Sequence, residues 1–549
     1  MLQIFIKALQ CLSIRNKISF CILIFSKFIS SFIEILTFAL AIPLLTKVLE
    51  FDGTFSFENS FYLSYIKSLS ISQILLLLFL SIFAKNFLLV VANYISFVLD
   101  KNIFIDLTNK LTNAHIQEFS EGKNLRPMPT IVRNITVELK HFQHLVSALF
   151  LIVQNFIYSV VIFFFLIKIL DKNLFFFLII AVLILMLYYF FTKHLVNKFG
   201  LKRLEYNREF YKNIIETFSL IKECFAFNKL DIFKNKLLSN LDISKSMDVN
   251  NKLISSVIKP LFEILIIAAL IIYLSFFQSE SSNKEILIVL TITLGVIFRL
   301  APTIIDIATQ TNVVNYNKSS LNTLYIYLRG NKKKKYLKSA KKKVSTLKFN
   351  NINFYFNKKK IIRNFSLNIT SKNKIILSGK SGVGKSTLID IVMGFKKQTS
   401  GDILLNNKIH KDNISNYFSY VPQRPYILNS SLVNNITLFQ EKVDKTKLNK
   451  VISLCDLMSL DKRYLNNQHE LGDNGSKISE GQKQKIGICR ALYHNKEIYI
   501  FDEPTSNLDG KSEEKVVKNI LKYLNKKIVI FITHNKKNYK FFDKIVNLD

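Results

Sequence analysis

Residues 375–391 read Ile375-Ile376-Leu377-Ser378-Gly379-Lys380-Ser381-Gly382-Val383-Gly384-Lys385-Ser386-Thr387-Leu388-Ile389-Asp390-Ile391. An apolar strand-like run precedes a glycine-rich loop, and a helix-forming run follows the loop. The G-x-x-x-x-G-K-S spacing lets the backbone turn so that its N–H groups and the helix N-terminus surround phosphates. This order predicts a nucleotide-binding loop inside an α/β domain.

Two side chains of this loop are expected to contact the bound nucleotide and its metal ion. Lys385 places a positive charge at the β and γ phosphates of ATP, and the Ser386 hydroxyl binds Mg²⁺. The predicted nucleotide-binding residues of the loop are Gly379, Lys380, Ser381, Gly382, Val383, Gly384, Lys385, Ser386 and Thr387.

A second apolar run, residues 498–501, ends in Asp502 and Glu503. The C-terminal ends of parallel strands form the sheet edge at which ligands bind. Asp502 there suits a metal ligand. Glu503 suits a general base that polarises the water attacking the γ-phosphate.

Composition places the rest of the chain in a membrane. The 549 residues are 49% hydrophobic and carry 75 Lys and Arg against 39 Asp and Glu, a net charge of +36. Such charge can neutralise nucleic-acid phosphates. Many of the lysines flank apolar spans, however, as the positive-inside bias predicts, so we expect no nucleic-acid partner. The five scattered cysteines indicate neither a zinc site nor a disulfide framework.

Six segments are long and apolar enough to cross a bilayer, which needs about 20 residues of helix. They are residues 18–47, 72–99, 144–169, 173–196, 254–277 and 285–309. The connections after the first, third and fifth are short or acidic (Glu50, Asp52, Glu58, Glu280), which predicts an outer location. Those after the second and fourth are long and charged, which predicts cytosolic helical extensions.

The resulting domain organisation has three parts. Residues 1–325 form a transmembrane domain, residues 326–345 a basic linker, and residues 346–549 a nucleotide-binding domain. The first apolar stretch is expected to stay as a membrane helix, because it lacks a short apolar region ending in a small-residue cleavage site.

Ile478-Ser479-Glu480-Gly481-Gln482, followed by Cys489-Arg490-Ala491-Leu492, resembles the signature of the ABC transporter family. The resemblance covers nearly the whole chain. The loop over residues 470–475 and the order of membrane spans before ATPase are similar to those of exporters. The resemblance implies an α-helical six-span membrane domain of the ABC exporter type, followed by an α/β P-loop ATPase domain.

Roles for further residues follow from this resemblance alone. Phe356 matches the adenine-stacking aromatic, with Tyr355 as the alternative, and Gln423 matches the glutamine loop that contacts the metal. His534 resembles the switch histidine at the γ-phosphate. The implied catalytic set is Glu503, His534, Lys385 and Gln423; the metal set is Ser386, Gln423 and Asp502; the remaining nucleotide contacts are Ser479, Glu480, Gly481, Gln482 and Asp509.

One phosphate loop and one signature per chain imply a dimer, because the family arrangement completes each ATP site with the signature of the other subunit. The partner is either a second copy or a related half-transporter. Glu480 departs from the family, which carries Gly there. Its charge either slows turnover or points away from the triphosphate.

The expected cargo is lipid-like or amphipathic. Residues 34–43, 133–138 and 299–303 look like parts of bacterial lipid-linked oligosaccharide flippases, which favours an anionic glycolipid crossing the inner membrane, with the ATPase domain cytoplasmic. Peptides and hydrophobic drugs are alternatives, as is an ATP-gated regulator or channel without transport. Three charged residues within the spans are candidate substrate contacts: Lys27, Glu34 and Arg299. The alternative for Lys27 is a side chain that snorkels to the membrane interface, and the alternative for Glu34 and Arg299 is an interhelical pair.

Overall fold

A computed structural model describes residues 1–48, 69–120, 127–169, 172–277, 283–329, 343–356, 359–380, 382–409, 414–458, 460, 464 and 469–548. The chain divides into two compact units. One comprises Met1–His115 with Arg126–Lys332, and the other comprises Ile116–Leu125 with Lys333–Asp549.

The first unit is helical. Its helices are α1 (Leu2–Cys11), α2 (Ile14–Val48), α3 (Ile71–Ser120), α4 (Met128–Arg133), α5 (Leu139–Ile169), α6 (Lys172–Ser219), α7 (Ile221–Ala226), α8 (Leu230–Ser256), α9 (Ile258–Phe277) and α10 (Asn283–Arg329). A π-helical turn, Asn134–Glu138, joins α4 to α5. α5 packs along α10, and α6 packs along α8.

The predicted spans 18–47, 72–99, 144–169, 173–196 and 285–309 fall within α2, α3, α5, α6 and α10. The span 254–277 begins in the last turn of α8, crosses a break at Val257 and continues as α9. Among the described residues, three helical stretches are long and apolar enough to cross a membrane: Ile14–Ala41, Ile71–Glu118 and Met128–Phe164. α3 and α6 have 50 and 48 residues, far more than a bilayer requires. Their extension into the cytosol stays a prediction. The acidic connections with Glu50, Asp52, Glu58 and Glu280 lie outside the described residues.

Among the described residues, two sets of charged groups buried between these helices carry ion pairs. Glu34 on α2 forms an ion pair with Lys85 on α3. At the end of the π-helical turn, the Glu138 carboxylate accepts a hydrogen bond from the Ser320 hydroxyl at 2.6 Å and lies 3.7 Å from the Arg203 guanidinium. Neither Glu138 nor Arg203 is accessible to solvent, so each charge depends on the other for compensation.

The second unit contains two sheets and the helices that cover them. Its elements are β1 (Thr346–Phe356), β2 (Lys359–Thr370), β3 (Lys374–Ser378), α11 (Lys385–Val392), β4 (Ser400–Leu405), β5 (Lys408–Ile409), β6 (Phe418–Val421), α12 (Leu432–Thr437), α13 (Lys445–Leu454), α14 (Glu480–Tyr493), β7 (Ile498–Asp502), α15 (Gly510–Tyr523), β8 (Ile528–Ile532) and β9 (Lys544–Asn547).

The strand order positions the site. β2, β1, β4 and β5 form an antiparallel sheet, whereas β6, β7, β8, β3 and β9 form a parallel one. The central strands β7 and β8 are continuous apolar runs, as strands buried on both faces should be. Because they run in the same direction, the C-terminal ends of β3, β6, β7 and β8 meet at one edge.

Candidate functional site

The phosphate loop follows β3 and leads into α11. Gly384 precedes the helix with a φ of 110°, a left-handed value that favours glycine. A Cβ there would also lie 3.2 Å from Ile361 Cγ2. Lys385 Nζ donates to the carbonyl oxygens of Gly379, at 2.5 Å, and Lys380, at 3.0 Å. The loop therefore holds its lysine beside its own backbone, while Ser381 lies outside the described residues.

Glu503 follows β7 in a strained backbone conformation. Its φ is 46°, in the left-handed region, which a glutamate seldom adopts. Its N–H donates to the Ile532 carbonyl at the end of β8 at 3.0 Å. Such strain persists where the surrounding structure imposes it, and it clusters at functional sites.

Two predicted site residues meet on the Glu503 carboxylate. Gln423 Nε2 donates to Oε2 at 2.6 Å. His534 Nε2 lies 3.0 Å from Oε1. Each carboxylate oxygen thus contacts one of the side chains that the sequence assigned to the same site, from segments that follow β6 and β8.

Asp502 lies in an environment suited to a cation. Burial raises the pKa of its carboxyl, and the negative charges of Glu503 and Asp390 raise it further, against the hydrogen bond from Tyr420 and the charge of Lys385. The Tyr420 hydroxyl donates to Asp502 Oδ2 at 3.3 Å. A cation would offset this concentration of negative charge. The oxygen donors are also those that Mg²⁺ prefers, and Ser386 is exposed at the start of α11.

The signature residues form the N-terminus of α14. Ser479 and Gln482 make a reciprocal capping box: the Ser479 hydroxyl accepts from the Gln482 N–H at 3.3 Å, and the Gln482 side chain accepts from the Ser479 N–H at 2.9 Å. Glu480 pairs with Lys483 at 2.7 Å, and 64% of its side chain is exposed. A Cβ on Gly481 would lie 3.0 Å from the Asn507 carbonyl oxygen, so glycine permits this close approach.

Two further predicted contacts lie apart from the carboxylate cluster. The Asp509 side chain accepts from the Ser512 N–H at 3.0 Å and so caps α15. Phe356 and Tyr355 lie at the end of β1, and 48% and 43% of their surfaces are exposed. Lys360 lies 5.7 Å from the centroid of the Tyr355 ring. Both aromatics are accessible, so the choice between them as the adenine platform stays a prediction.

Sequence reasoning missed three residues that hold this site together. Tyr420 supports Asp502. Gln484 on α14 contacts Gln423 and the loop after β7. Glu513 on α15 accepts hydrogen bonds from Thr505 at 2.9 Å and Asn535 at 2.8 Å, so it links the segments that follow Glu503 and His534. The sequence does not signal these supporting roles, because the residues that Tyr420, Gln484 and Glu513 contact lie elsewhere in the sequence.

Comparison with known proteins finds sequences similar to this chain. Residues 362–506 match the family model of the ABC transporter. A putative export ATP-binding/permease protein of Rickettsia typhi is 29% identical over 398 residues, which cover 65% of this chain and 64% of that protein. The chain therefore spans just under two thirds of that relative's length. The Lactococcin-A transport/processing ATP-binding protein of Lactococcus lactis is 34% identical over 197 residues, covering 35% of this chain and 27% of that protein.

A solved structure agrees with the fold of the chain as a whole. The structure of a bacterial Atm1-family ABC exporter with ATP bound aligns over 97% of this chain and 93% of its own, with a TM-score of 0.77 and 15% sequence identity. The predicted fold class is confirmed. Residues 362–506 match the ATP-binding domain of ABC transporters, and the chain as a whole, with its apolar helices before the α/β domain, has the ABC exporter fold.

Proposed function

We propose that this chain hydrolyses Mg-ATP and uses the energy to export a substrate, as one half of a dimeric exporter in a bacterial inner membrane, with the ATPase domain in the cytoplasm. One observation carries the proposal: Gln423 and His534 both contact the Glu503 carboxylate. Glu503 follows β7, and only β8 separates β7 from β3, the strand that leads to the phosphate loop. A general base must be oriented as well as present.

The chain's residues divide the chemistry as follows. Glu503 takes the proton of the attacking water, while Gln423 and His534 fix the direction in which its carboxylate oxygens point. Lys385 and the backbone N–H groups at the start of α11 neutralise the transferred phosphoryl group. Ser386, Gln423 and Asp502 would hold Mg²⁺, which supplies charge neutralisation to the β and γ phosphates when bound.

The dimer is required because the site within one chain is incomplete. Ser479, Glu480, Gly481 and Gln482 contact their own helix and the loop after β7, so we assign their nucleotide contact to the partner's ATP. ATP drives a conformational change only by binding the closed dimer more tightly than the open one. Whether the partner is a second copy or a related half-transporter is decided by the mass of the active complex.

The hydrolysis proposal is tested with purified full-length protein in lipid nanodiscs. Glu503→Gln keeps the size and loses the base, so we expect kcat to fall on the order of 10³-fold while ATP binding persists. Glu514→Gln is the matched control, since this glutamate pairs with Lys540 and is half exposed in the same domain. Equal hydrolysis by Glu503→Gln and wild type would contradict the assignment.

The proposed cargo is an anionic glycolipid or lipid-linked oligosaccharide, and it rests on the three short stretches quoted above. Within them, Arg133 and Glu138 are buried near each other, so we assign them to the packing of the helices instead of to cargo. Glu34 is engaged with Lys85. The side chain of Arg299 lies outside the described residues.

A peptide is the second candidate cargo, favoured by the relatives named for lactococcin transport. Proteoliposomes that contain either a fluorescent pyrophosphate-linked glycolipid or a labelled peptide separate the two. We expect glycolipid translocation that needs ATP and disappears in Glu503→Gln. Transport of the peptide alone would replace the glycolipid proposal, and ATP-independent solute flux would support a channel.

A further inference from the structure

A buried amide lies directly behind the candidate site. Gln484, on the inward side of α14, is 1% exposed. Its Nε2 donates to the Ser506 hydroxyl oxygen at 2.8 Å and approaches the Gln423 carbonyl oxygen at 3.4 Å. Its Oε1 accepts from the Asn507 N–H at 3.0 Å. The amide oxygen therefore has one hydrogen-bond partner, and the amide nitrogen has two.

These partners belong to two separate loops. Gln423 follows β6, and its side chain reaches Glu503. Ser506 and Asn507 follow β7, three and four residues beyond Glu503. Gln484 thus contacts both loops from the same helix that begins with the signature.

The closeness of α14 to the first of these loops has independent evidence. A Cβ on Gly487 would lie 2.6 Å from Pro425 Cγ, a distance that real side chains do not tolerate. Glycine at this helical position allows α14 to pack directly against the segment that follows Gln423. Gly487 is one turn from Gln484, so two residues on one helix face contact the same segment.

We propose that Gln484 is a positioning residue for ATP hydrolysis. It fixes the loop of Gln423 relative to the Ser506–Asn507 turn, so that the Gln423 side chain reaches the Glu503 carboxylate. The inference rests on the proposed ATPase function. Among the described residues, no hydrogen bond joins Gln484 to Glu503, and Gln484 acts through the backbone of Gln423. Small displacements of a positioned group lower the rate of the chemical step far more than they lower ground-state binding.

The experiment compares three variants of the full-length protein in nanodiscs. Gln484→Met keeps the length and apolar volume but removes all three hydrogen bonds. Gln484→Glu keeps an acceptor for the Asn507 N–H and can accept from the Ser506 hydroxyl, but it turns a carboxylate oxygen toward the Gln423 carbonyl. Asn519→Leu is the control, since Asn519 on α15 makes one part-buried amide contact, to the Leu454 carbonyl.

The readouts are kcat per ATP-binding site, KM for ATP and the melting midpoint. We expect kcat to fall by about 10- to 100-fold in Gln484→Met and at least as far in Gln484→Glu, with KM for ATP changed less than about threefold because the phosphate loop is untouched. Asn519→Leu should lower the melting midpoint without changing kcat.

Three results would overturn the inference. One is a kcat of Gln484→Met within twofold of wild type while Glu503→Gln is inactive, which leaves the proposed function standing. Another is a loss of kcat in Asn519→Leu equal to that in Gln484→Met, which would assign the effect to stability. The third is a wild type without Mg-ATP hydrolysis, which would overturn the proposed function as well.

Discussion

His534 Nε2 lies 3.0 Å from Glu503 Oε1, so a contact between an imidazole and a carboxylate joins the loops that follow β8 and β7. Asp502 and Ile532 are register partners at the ends of these strands. The residue after one strand can therefore reach the second residue after the other. Gln423 contacts the other carboxylate oxygen, and the three side chains form one unit.

This unit predicts non-additive kinetics. His534→Ala and Gln423→Ala should each lower kcat by about 10²-fold, because each frees one oxygen of Glu503. The double variant should be no more than about threefold slower than the slower single variant, since groups that act together are lost together. The measurement is steady-state hydrolysis by all four proteins at saturating Mg-ATP. Multiplicative losses would show that the two residues act independently.

Most of the fold was predictable because its signals are local. A strand, glycine loop and helix are contiguous in 375–391, and the six apolar spans stand out by length alone. The alignment of β3, β6, β7 and β8 follows from the rule that parallel strands end at one edge. The resemblance to the ABC transporter family assigned Gln423 and His534 to the site of Glu503. The shared sheet edge is the physical reason that these residues meet although 111 positions separate Gln423 from His534.

The supporting residues were not predictable because their signals are non-local. Gln484 and Glu513 occupy helical positions that sequence patterns treat as solvated, yet they are 1% and 8% exposed. Gln423, a partner of Gln484, is 61 positions away. The π-helical turn over Asn134–Glu138 is equally hidden, since one extra residue in a helical turn leaves no compositional trace.

Asp502→Asn should stabilise the ATPase unit without nucleotide. The raised pKa means that folded protein binds the Asp502 proton more tightly than unfolded protein does. That contribution to stability is complete below the unfolded pKa of about 3.9 and is lost as pH rises through the raised folded value. At pH 7 the ionised carboxylate therefore opposes folding.

We expect Asp502→Asn to raise the melting midpoint by about 2–4 °C at pH 7 and to abolish hydrolysis. The difference in melting midpoint should shrink toward pH 4. Asp402→Asn, on an exposed position of β4, is the control and should leave both quantities unchanged. A lower midpoint for Asp502→Asn at pH 7 would show that its hydrogen bond from Tyr420 outweighs the cost of burial.

Glu480→Gly should change hydrolysis by no more than about twofold. The Glu480 side chain is largely exposed and is paired with Lys483 on its own helix, and exposed pairs contribute at most about 1 kcal/mol. The positive charge of Lys483 therefore offsets the negative charge of Glu480, which reduces its repulsion of a triphosphate. Glu480→Gln, which keeps the shape, should match wild type. A tenfold or larger gain in kcat for Glu480→Gly would show that the carboxylate does slow turnover.

Glu138→Gln should destabilise the helical unit strongly. It removes the carboxylate that compensates Arg203, which is fully buried, and Arg133, which is 5% exposed. Leaving a buried charge without its partner costs about 3–5 kcal/mol. Glu209→Gln on α6 is the control, because that pair with Lys212 is exposed. Equal melting midpoints for the two variants in detergent would contradict a structural role for Glu138.

The pair between Glu34 and Lys85 gives the sharpest test of what the membrane charges do. Glu34 is inaccessible and 11% of the Lys85 side chain is exposed, so each single neutralisation removes one charge of a buried ion pair among apolar helices. Glu34→Gln and Lys85→Gln should each lower the melting midpoint in detergent. The exchanged pair, Glu34→Lys with Lys85→Glu, should recover at least half of the larger loss. If the pair is purely interhelical, the exchanged protein also keeps the wild-type stimulation of hydrolysis by cargo lipid. Recovery of stability without that stimulation would instead make these two charges part of the cargo-binding surface. An ion pair is satisfied whichever helix carries the negative charge, whereas a bound cargo requires each charge at its own position.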